Sequence, residues 1–272
     1  MALKLMYITN DPLVAVVAEK SGVDRIWIDL EYMGKEERQH GLNSVKSNHK
    51  ISDIILLRPY IKNSDLMVRV NPLHDNSKEE IDAVINAGAD LVMLPMFHTA
   101  DDARRFVDLI GGRAKVMLLT ETAEAIENLE EIVNVNGIDE IHIGLNDLYL
   151  AYRMKFMFEL LVDGTVERAC NIVREAGIPY GFGGIARLGK GALPAEYVIA
   201  EHYRLRSSMA ILSRCFCNVN TDCIDNDIEE LFITEMKKIR EYEAYLQNQD
   251  DSFLNMNRLK VKDIVEMIIK GD

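Results

Sequence analysis

Eight short apolar runs, each followed by a stretch of helical period, fill roughly the first 245 residues of this chain. Few folds accommodate that alternation. The runs are Leu3–Thr9, Arg25–Asp29, Leu66–Val70, Leu91–Leu94, Val116–Leu119, Glu140–Ile143, Tyr180–Ile185 and Ser208–Leu212. They are apolar on both faces, as a parallel sheet covered by helices requires. The helical stretches begin near Leu13, Ile51, Ser77, Thr99, Ala123, Thr165, Pro194 and Asp227. Ser77 with Glu80, and Thr99 with Asp102, have the spacing of capping boxes. A doubly wound open sheet is the rival, but it needs a glycine fingerprint after an early strand, and none is present. The expected fold is therefore α/β, a (β/α)8 TIM barrel over residues 1–247. A C-terminal helical extension follows over 248–272, where Val261, Ile264, Val265 and Ile268 recur at helical spacing. That apolar face has to cover its own barrel or a neighbouring subunit, so a homo-oligomer is expected.

Composition narrows the function classes. The chain has 272 residues, with 31 basic and 44 acidic side chains, a net charge of -13. Such a surface does not attract nucleic acid or anionic lipid in general. No apolar run is long enough to span a bilayer, and the stretch Met1–Thr9 lacks a signal-peptide layout. Cytoplasmic location is expected. The four cysteines, Cys170, Cys215, Cys217 and Cys223, do not have zinc-site spacing and read as buried or partly buried thiols.

In a parallel barrel, catalytic side chains come from the carboxyl ends of the strands. Those ends carry Asp29, Glu31 and Tyr32 at the end of the second run, Arg69 and Asn71 at the third, Glu121 after the fifth, and Asn146 with Asp147 after the sixth. Glu121 and Asp147 each sit where an apolar run gives out, and converging carboxylates suit a hard divalent metal. Alternatively, Glu121 favours a helix N-terminus and Asp147 caps a turn. Arg69 has the fork that binds a substrate carboxylate or an enolate, or it neutralises Asp29 or Glu31. His142, between apolar neighbours, reads as an interior histidine, and Trp27 as a packing residue. His74 and Asp75 read as surface loop. Gly181–Arg187 with Lys190 has the make-up of a phosphate cradle, or of a tight turn with two solvated basic residues. Tyr149–Leu161 is a long aromatic-rich insertion on the expected active face.

Several strings fall in the order of a known family: Ile28-Asp-Leu-Glu31, Val68-Arg-Val70, Ala87-Gly-Ala-Asp90 with Leu94-Pro-Met96, the run from Glu121 to Ile132, and Gly137 to Leu148. Over about residues 10 to 215 the chain resembles the metal-dependent 4-hydroxy-2-oxoheptanedioate aldolase and citrate lyase beta-subunit family, barrels of the phosphoenolpyruvate/pyruvate superfamily. The resemblance implies a class II type aldehyde-lyase. Glu121 and Asp147 would hold magnesium, manganese or cobalt. Arg69 would contact the keto oxygen of a pyruvate-type 2-oxo acid, and the backbone amides of Asn146 and Asp147 its carboxylate. Trimers or hexamers are implied too.

The departures lie in proton transfer. Tyr32 stands where the family has histidine, and Asn86 where that histidine's acidic partner is expected. Leu119 replaces a glutamine, Leu145 stands near a missing proline, and Gly111-Gly-Arg113 is a reduced arginine-glycine loop. Either Tyr32, Asp29 or a metal-bound water does the proton work, or the substrate differs, or aldol activity is lost. The alternatives are an acyl-coenzyme A ester lyase of the same superfamily and a non-catalytic ligand-binding or assembly protein.

Overall fold

In the computed structural model, residues 2–34, 47–213, 216 and 228–271 are described. Eight parallel strands close in sequence order, β1 to β8, into a barrel. Each strand is followed by helix on the outside. The first half runs β1 (Lys4–Ile8), α1 (Pro12–Lys20), β2 (Arg25–Asp29), α2 (Ile51–Leu57), β3 (Asp65–Arg69), α3 (Ser77–Asn86), β4 (Leu91–Leu94) and α4 (Ala100–Ile110). The second half starts with β5 (Lys115–Thr120), α5 (Ala123–Glu127), α6 (Leu129–Ile132), β6 (Glu140–Ile143), α7 (Leu145–Ala151), α8 (Glu159–Val162) and α9 (Thr165–Glu175). It ends with β7 (Tyr180–Ile185), α10 (Ala195–Arg204), β8 (Met209–Leu212), α11 (Ile228–Leu246) and α12 (Asp251–Lys270).

Strand residues alternate between two cores. Outward residues such as Ile26, Ile28, Leu66 and Val68 pack under the helices. Inward residues Met6, Trp27, Met67, Met93, Met117, Leu119 and Met209 fill the barrel's middle. Below this apolar plug the same inward parity carries charge. Both Glu140 oxygens lie 2.6 Å from the Arg25 guanidinium, with both side chains buried. Lys4 reaches Glu140 at 3.2 Å, and Lys115 reaches Asp65 at 3.1 Å. The barrel thus has an ionic floor beneath a methionine-rich middle.

Local chemistry explains most helix ends. Thr99 and Asp102 cap α4 reciprocally, at 3.1 and 3.0 Å. The expected box on α3 does not form. Asn76 is its N-cap, and the Glu80 carboxylate turns to Asn71 and His74 instead. A side-chain amide and an imidazole hold it better than one frayed backbone amide.

The tail helix α12 lies on α10 and α8. Its Val261 and Val265 are buried, Asn257 donates to Glu201 at 3.0 Å, and Lys155 donates to the Ile269 carbonyl at 3.4 Å. Phe158 of the aromatic insertion is buried edge-on to Phe156. Among the described residues no helix is long and apolar enough to cross a membrane. Cys170 is buried, and burial pushes its thiol up. Cys215, Cys217 and Cys223 lie outside the described residues.

Two interior histidines make stability depend on pH. His142 faces inward on β6 and donates Nε2 to the Gly183 carbonyl at 3.1 Å; burial pushes its pKa down to about 4. His202 on α10 stacks on Phe182 and contacts Ser207 Oγ at 2.8 Å; burial, then repulsion from His142, push it down to about 3. Unfolded imidazoles take up protons near pH 6.5. Between pH 6.5 and 4 the unfolded chain therefore binds more protons, and stability falls as pH drops. Each histidine is expected to contribute up to about 1.4 kcal/mol per pH unit. Urea midpoints measured from pH 7 to 4 should fall less steeply in His202→Gln than in the parent.

Candidate active site

Two residues beyond the apolar plug, the inward parity of three strands changes character. Trp27 is followed by Asp29, Met67 by Arg69, and Leu119 by Glu121. Asp29 and Arg69 are register partners on adjacent strands. The guanidinium binds Asp29 through two parallel hydrogen bonds, Nε to Oδ1 and Nη2 to Oδ2, both 2.8 Å. Its Nη1 lies 3.3 Å from Glu31 Oε2, and its plane covers Trp27 with 5.0 Å to the ring. Burial alone would lower the pKa of Arg69; Asp29, Glu31 and Glu121 together hold it above its ordinary value. Arg69 therefore does pair with both acids, Asp29 at the end of β2 and Glu31 just beyond it. Asp29 has both oxygens on the guanidinium, which makes it the residue that orients Arg69.

Glu121 follows β5 directly and is buried. Its Oε1 accepts the Met96 amide at 3.3 Å. Met96 holds φ +50°, a left-handed conformation uncommon outside glycine, in the loop after β4. On the other side Glu121 lies flat against Gly144. A Cβ there would sit 2.8 Å from both Glu121 Cβ and Oε2, so only glycine fits. Asp147 comes three residues later. It does not close β6, which ends at Ile143, but occupies the first turn of α7 beside exposed Asn146. Gly144, the N-cap, provides no side chain to bind the amides of that turn.

The rim of the mouth is held by polar bridges. Asn71 is buried; its Oδ1 accepts the amides of Tyr32 and Met33 at 3.0 and 3.1 Å, and its Nδ2 donates to Glu80 at 2.8 Å. Glu80 Oε2 lies 3.0 Å from His74 Nε2. The loop after β2 is thus tied to the loop after β3. Tyr32 is anchored by this backbone bond, while its ring is 71% exposed. The Asn71→Ala variant leaves two amides and a carboxylate without this partner. It should lower turnover about tenfold at unchanged far-ultraviolet dichroism, with a loss of roughly 1–3 kcal/mol in urea denaturation.

Asn86 does not reach this rim. It is exposed at the last residue of α3, which runs back to the opposite end of the barrel, so within one chain no Tyr32–Asn86 pair forms. Arg187 and Lys190 belong to a turn in which the Lys190 amide donates to the Arg187 carbonyl at 3.0 Å, and Lys190 is exposed. One residue missed by sequence reasoning does reach the mouth. His49 accepts the Asp29 amide on Nδ1 at 3.1 Å. It lies twenty residues from Asp29 without periodic signal, so only the fold brings it there.

Among the described residues no three histidine, cysteine or acidic side chains gather around one point to hold an ion. The available donors are carboxylates. Asp29 and Glu31 hold the Arg69 guanidinium, Glu121 lies within its electrostatic reach, and Asp147 stands in the first turn of α7 beyond Gly144. That set fits a hard divalent cation, which commonly takes one or two protein carboxylates and completes its shell with water and substrate oxygens.

The comparisons agree with this architecture. A 2-keto-3-deoxy-L-rhamnonate aldolase of Shigella dysenteriae is 28% identical over 206 residues, covering 64% of this chain and 71% of the relative. A 4-hydroxy-4-methyl-2-oxoglutarate aldolase of Chaetomium globosum is 26% identical over 208 residues, covering 64% and 72%. Among solved structures, an HpcH/HpaI aldolase/citrate lyase family protein from Burkholderia cenocepacia superposes with TM-score 0.62 at 14% identity, covering 89% of this chain and 95% of that one. At that identity the likeness is one of fold. The family model described as HpcH/HpaI aldolase/citrate lyase matches residues 4–178. With barrel, matched segment and aldolase relatives in agreement, the chain belongs to the HpcH/HpaI aldolase/citrate lyase family.

Proposed function

We propose that the chain is a divalent-metal-dependent carbon–carbon lyase that cleaves or forms a 4-hydroxy-2-oxo acid through a pyruvate-type enolate. The observation that carries this reading is the shared electrostatic space of Arg69 and Glu121 at the carboxyl ends of β3 and β5. Glu121 and Asp147 would hold magnesium, manganese or cobalt. When bound, such a cation supplies Lewis-acid stabilisation of negative charge developing on a keto oxygen.

The protein's own groups do the rest. Arg69, pre-oriented by Asp29 and Glu31, presents guanidinium hydrogens to the same oxygen. The first-turn amides of Asn146 and Asp147 receive the substrate carboxylate. Trp27 and the methionine plug close the floor beneath the substrate and exclude water from below. Tyr32 stands at the rim, where its hydroxyl is open to the solvent that exchanges protons with the mouth.

The test supplies magnesium, manganese or cobalt with candidate 4-hydroxy-2-oxo acids and follows pyruvate release. Release that stops with chelation and returns with metal is expected; no release with any of the three, and no metal bound, would defeat the reading. Assembly is expected as well, into trimers or hexamers. Met256, Leu259 and Met267 of α12 remain exposed although the helix packs on its own chain. Light scattering at micromolar concentration should give a multiple of 30.9 kDa.

A further inference from the structure

Glu121 is bonded to a backbone atom from the neighbouring strand end. β4 stops at Leu94, and Pro95, Met96, Phe97 and His98 carry the chain to Thr99, the N-cap of α4. Among the described residues three besides glycine hold a left-handed φ. Arg153 lies in the insertion after α7, and Arg206 in the turn before β8. Met96, at +50°, stands beside the candidate metal carboxylate. A residue with a Cβ adopts this conformation only at a cost, so the surrounding structure has to impose it.

The loop is held on both sides of Met96. Pro95 before it has a fixed φ. After it, the Phe97 carbonyl accepts Thr122 Oγ1 at 2.8 Å, and Phe97 itself is buried. The His98 carbonyl accepts Asn128 Nδ2 at 3.0 Å, and the His98 amide donates to Asp102 Oδ2 at 3.0 Å. Thr122 and Asn128 belong to the segment that follows Glu121 directly. The loop after β4 and the carboxylate after β5 are therefore set against one piece of chain. In that setting the Met96 amide donates to Glu121 Oε1 at 3.3 Å, while Gly144 lies against Cβ and Oε2 of the same side chain.

We propose that Met96 is a positioning residue of the lyase: its imposed left-handed backbone aims the amide that orients Glu121 for a divalent cation. The proposal rests on the lyase reading above. An unrestrained glutamate rotates about three side-chain bonds, and a cation that binds it has to remove that freedom. Here the amide on Oε1 and the close approach of Gly144 impose the order beforehand. The task belongs to the backbone of Met96 and not to its thioether.

Substitution separates backbone from side chain. Valine is apolar like methionine, but a β-branched residue fits a left-handed φ poorly. Asparagine is polar and shorter, yet adopts that conformation more readily than most residues. Mn2+ binding, followed by electron paramagnetic resonance, is expected to weaken about tenfold or more in Met96→Val and less than about threefold in Met96→Asn. A site that used the packing of the side chain would rank the two the other way. Asn128→Ala removes one restraint on the loop and leaves Met96 and Glu121 in place. Its Mn2+ affinity should fall about threefold, while the melting temperature of the metal-free protein stays within about 1 °C of the parent. Metal-dependent exchange of pyruvate methyl protons should fall in the same order as affinity. Parental Mn2+ affinity in Met96→Val, or equal losses in Met96→Val and Met96→Asn, would overturn the proposal. If Met96→Val does not melt cooperatively, Asn128→Ala decides, and parental affinity there overturns it. A parent that binds no Mn2+ and exchanges no methyl protons would instead remove the lyase reading, and the proposal with it.

Discussion

Glu121→Gln is expected to weaken binding of a divalent cation at least 100-fold and to lower lyase turnover by three orders of magnitude or more, with the fold intact. The side chain is buried and is held between the Met96 amide and Gly144. Glutamine has the same shape, so packing is preserved. It removes the negative charge that the proposed cation would bind. Gly144→Ala offers a test without change of charge. A Cβ 2.8 Å from Glu121 Cβ and Oε2 has to push the carboxylate aside. A displacement near 1 Å at such a site costs about 100-fold in rate. Isothermal titration with Mn2+ and steady-state kinetics on both variants check the pair. Full cation affinity in Glu121→Gln would remove Glu121 from the site.

The largest effect on stability is expected at the opposite end of the barrel. Arg25 and Glu140 are both buried, and each is the other's closest counter-charge at 2.6 Å. Arg25 also packs on the sulfurs of Met6 and Met209, at 3.9 and 3.8 Å. Removing one partner leaves the other under an apolar plug with only a weaker, partly exposed counter-charge, Asp65 at 3.6 Å for Arg25 or Lys4 at 3.2 Å for Glu140. Glu140→Gln or Arg25→Met should therefore cost about 3–5 kcal/mol in urea denaturation. The double variant Arg25→Met with Glu140→Leu should regain most of that loss, because an apolar floor needs no counter-charge. Equal losses in the single and double variants would assign the effect to packing. Lys4 and Lys115 are partly exposed and add little by comparison.

The barrel was legible because its signal is repeated: each strand is a short apolar run bounded by turn residues, and β1 to β8 fall on the eight runs. Arg69 and Glu121 were legible for a related reason, since strand ends in a parallel barrel open on one face. The ionic floor was overlooked although its pattern was present. Arg25, Trp27 and Asp29 share one parity, as do Glu140, His142 and Gly144, and a charged residue at the first inward position of two strands implies a pair. The Glu80 capping box failed because a carboxylate three residues into a helix is free to choose a tertiary partner, here Asn71. His49 carried no local signal, since its place is set by a loop that leaves β2 and returns. Asn86 carried no sign of where it would lie; the course of α3 puts it at the far end of the barrel, away from Tyr32 of the same chain.

Exchange of pyruvate methyl protons with deuterium, followed by proton NMR, tests the central claim most directly, because it isolates enolisation from any aldehyde. Exchange is expected with magnesium, manganese or cobalt, to stop on chelation, and to be absent in Glu121→Gln. No exchange with any of these metals, or exchange at the parental rate in Glu121→Gln, would contradict it.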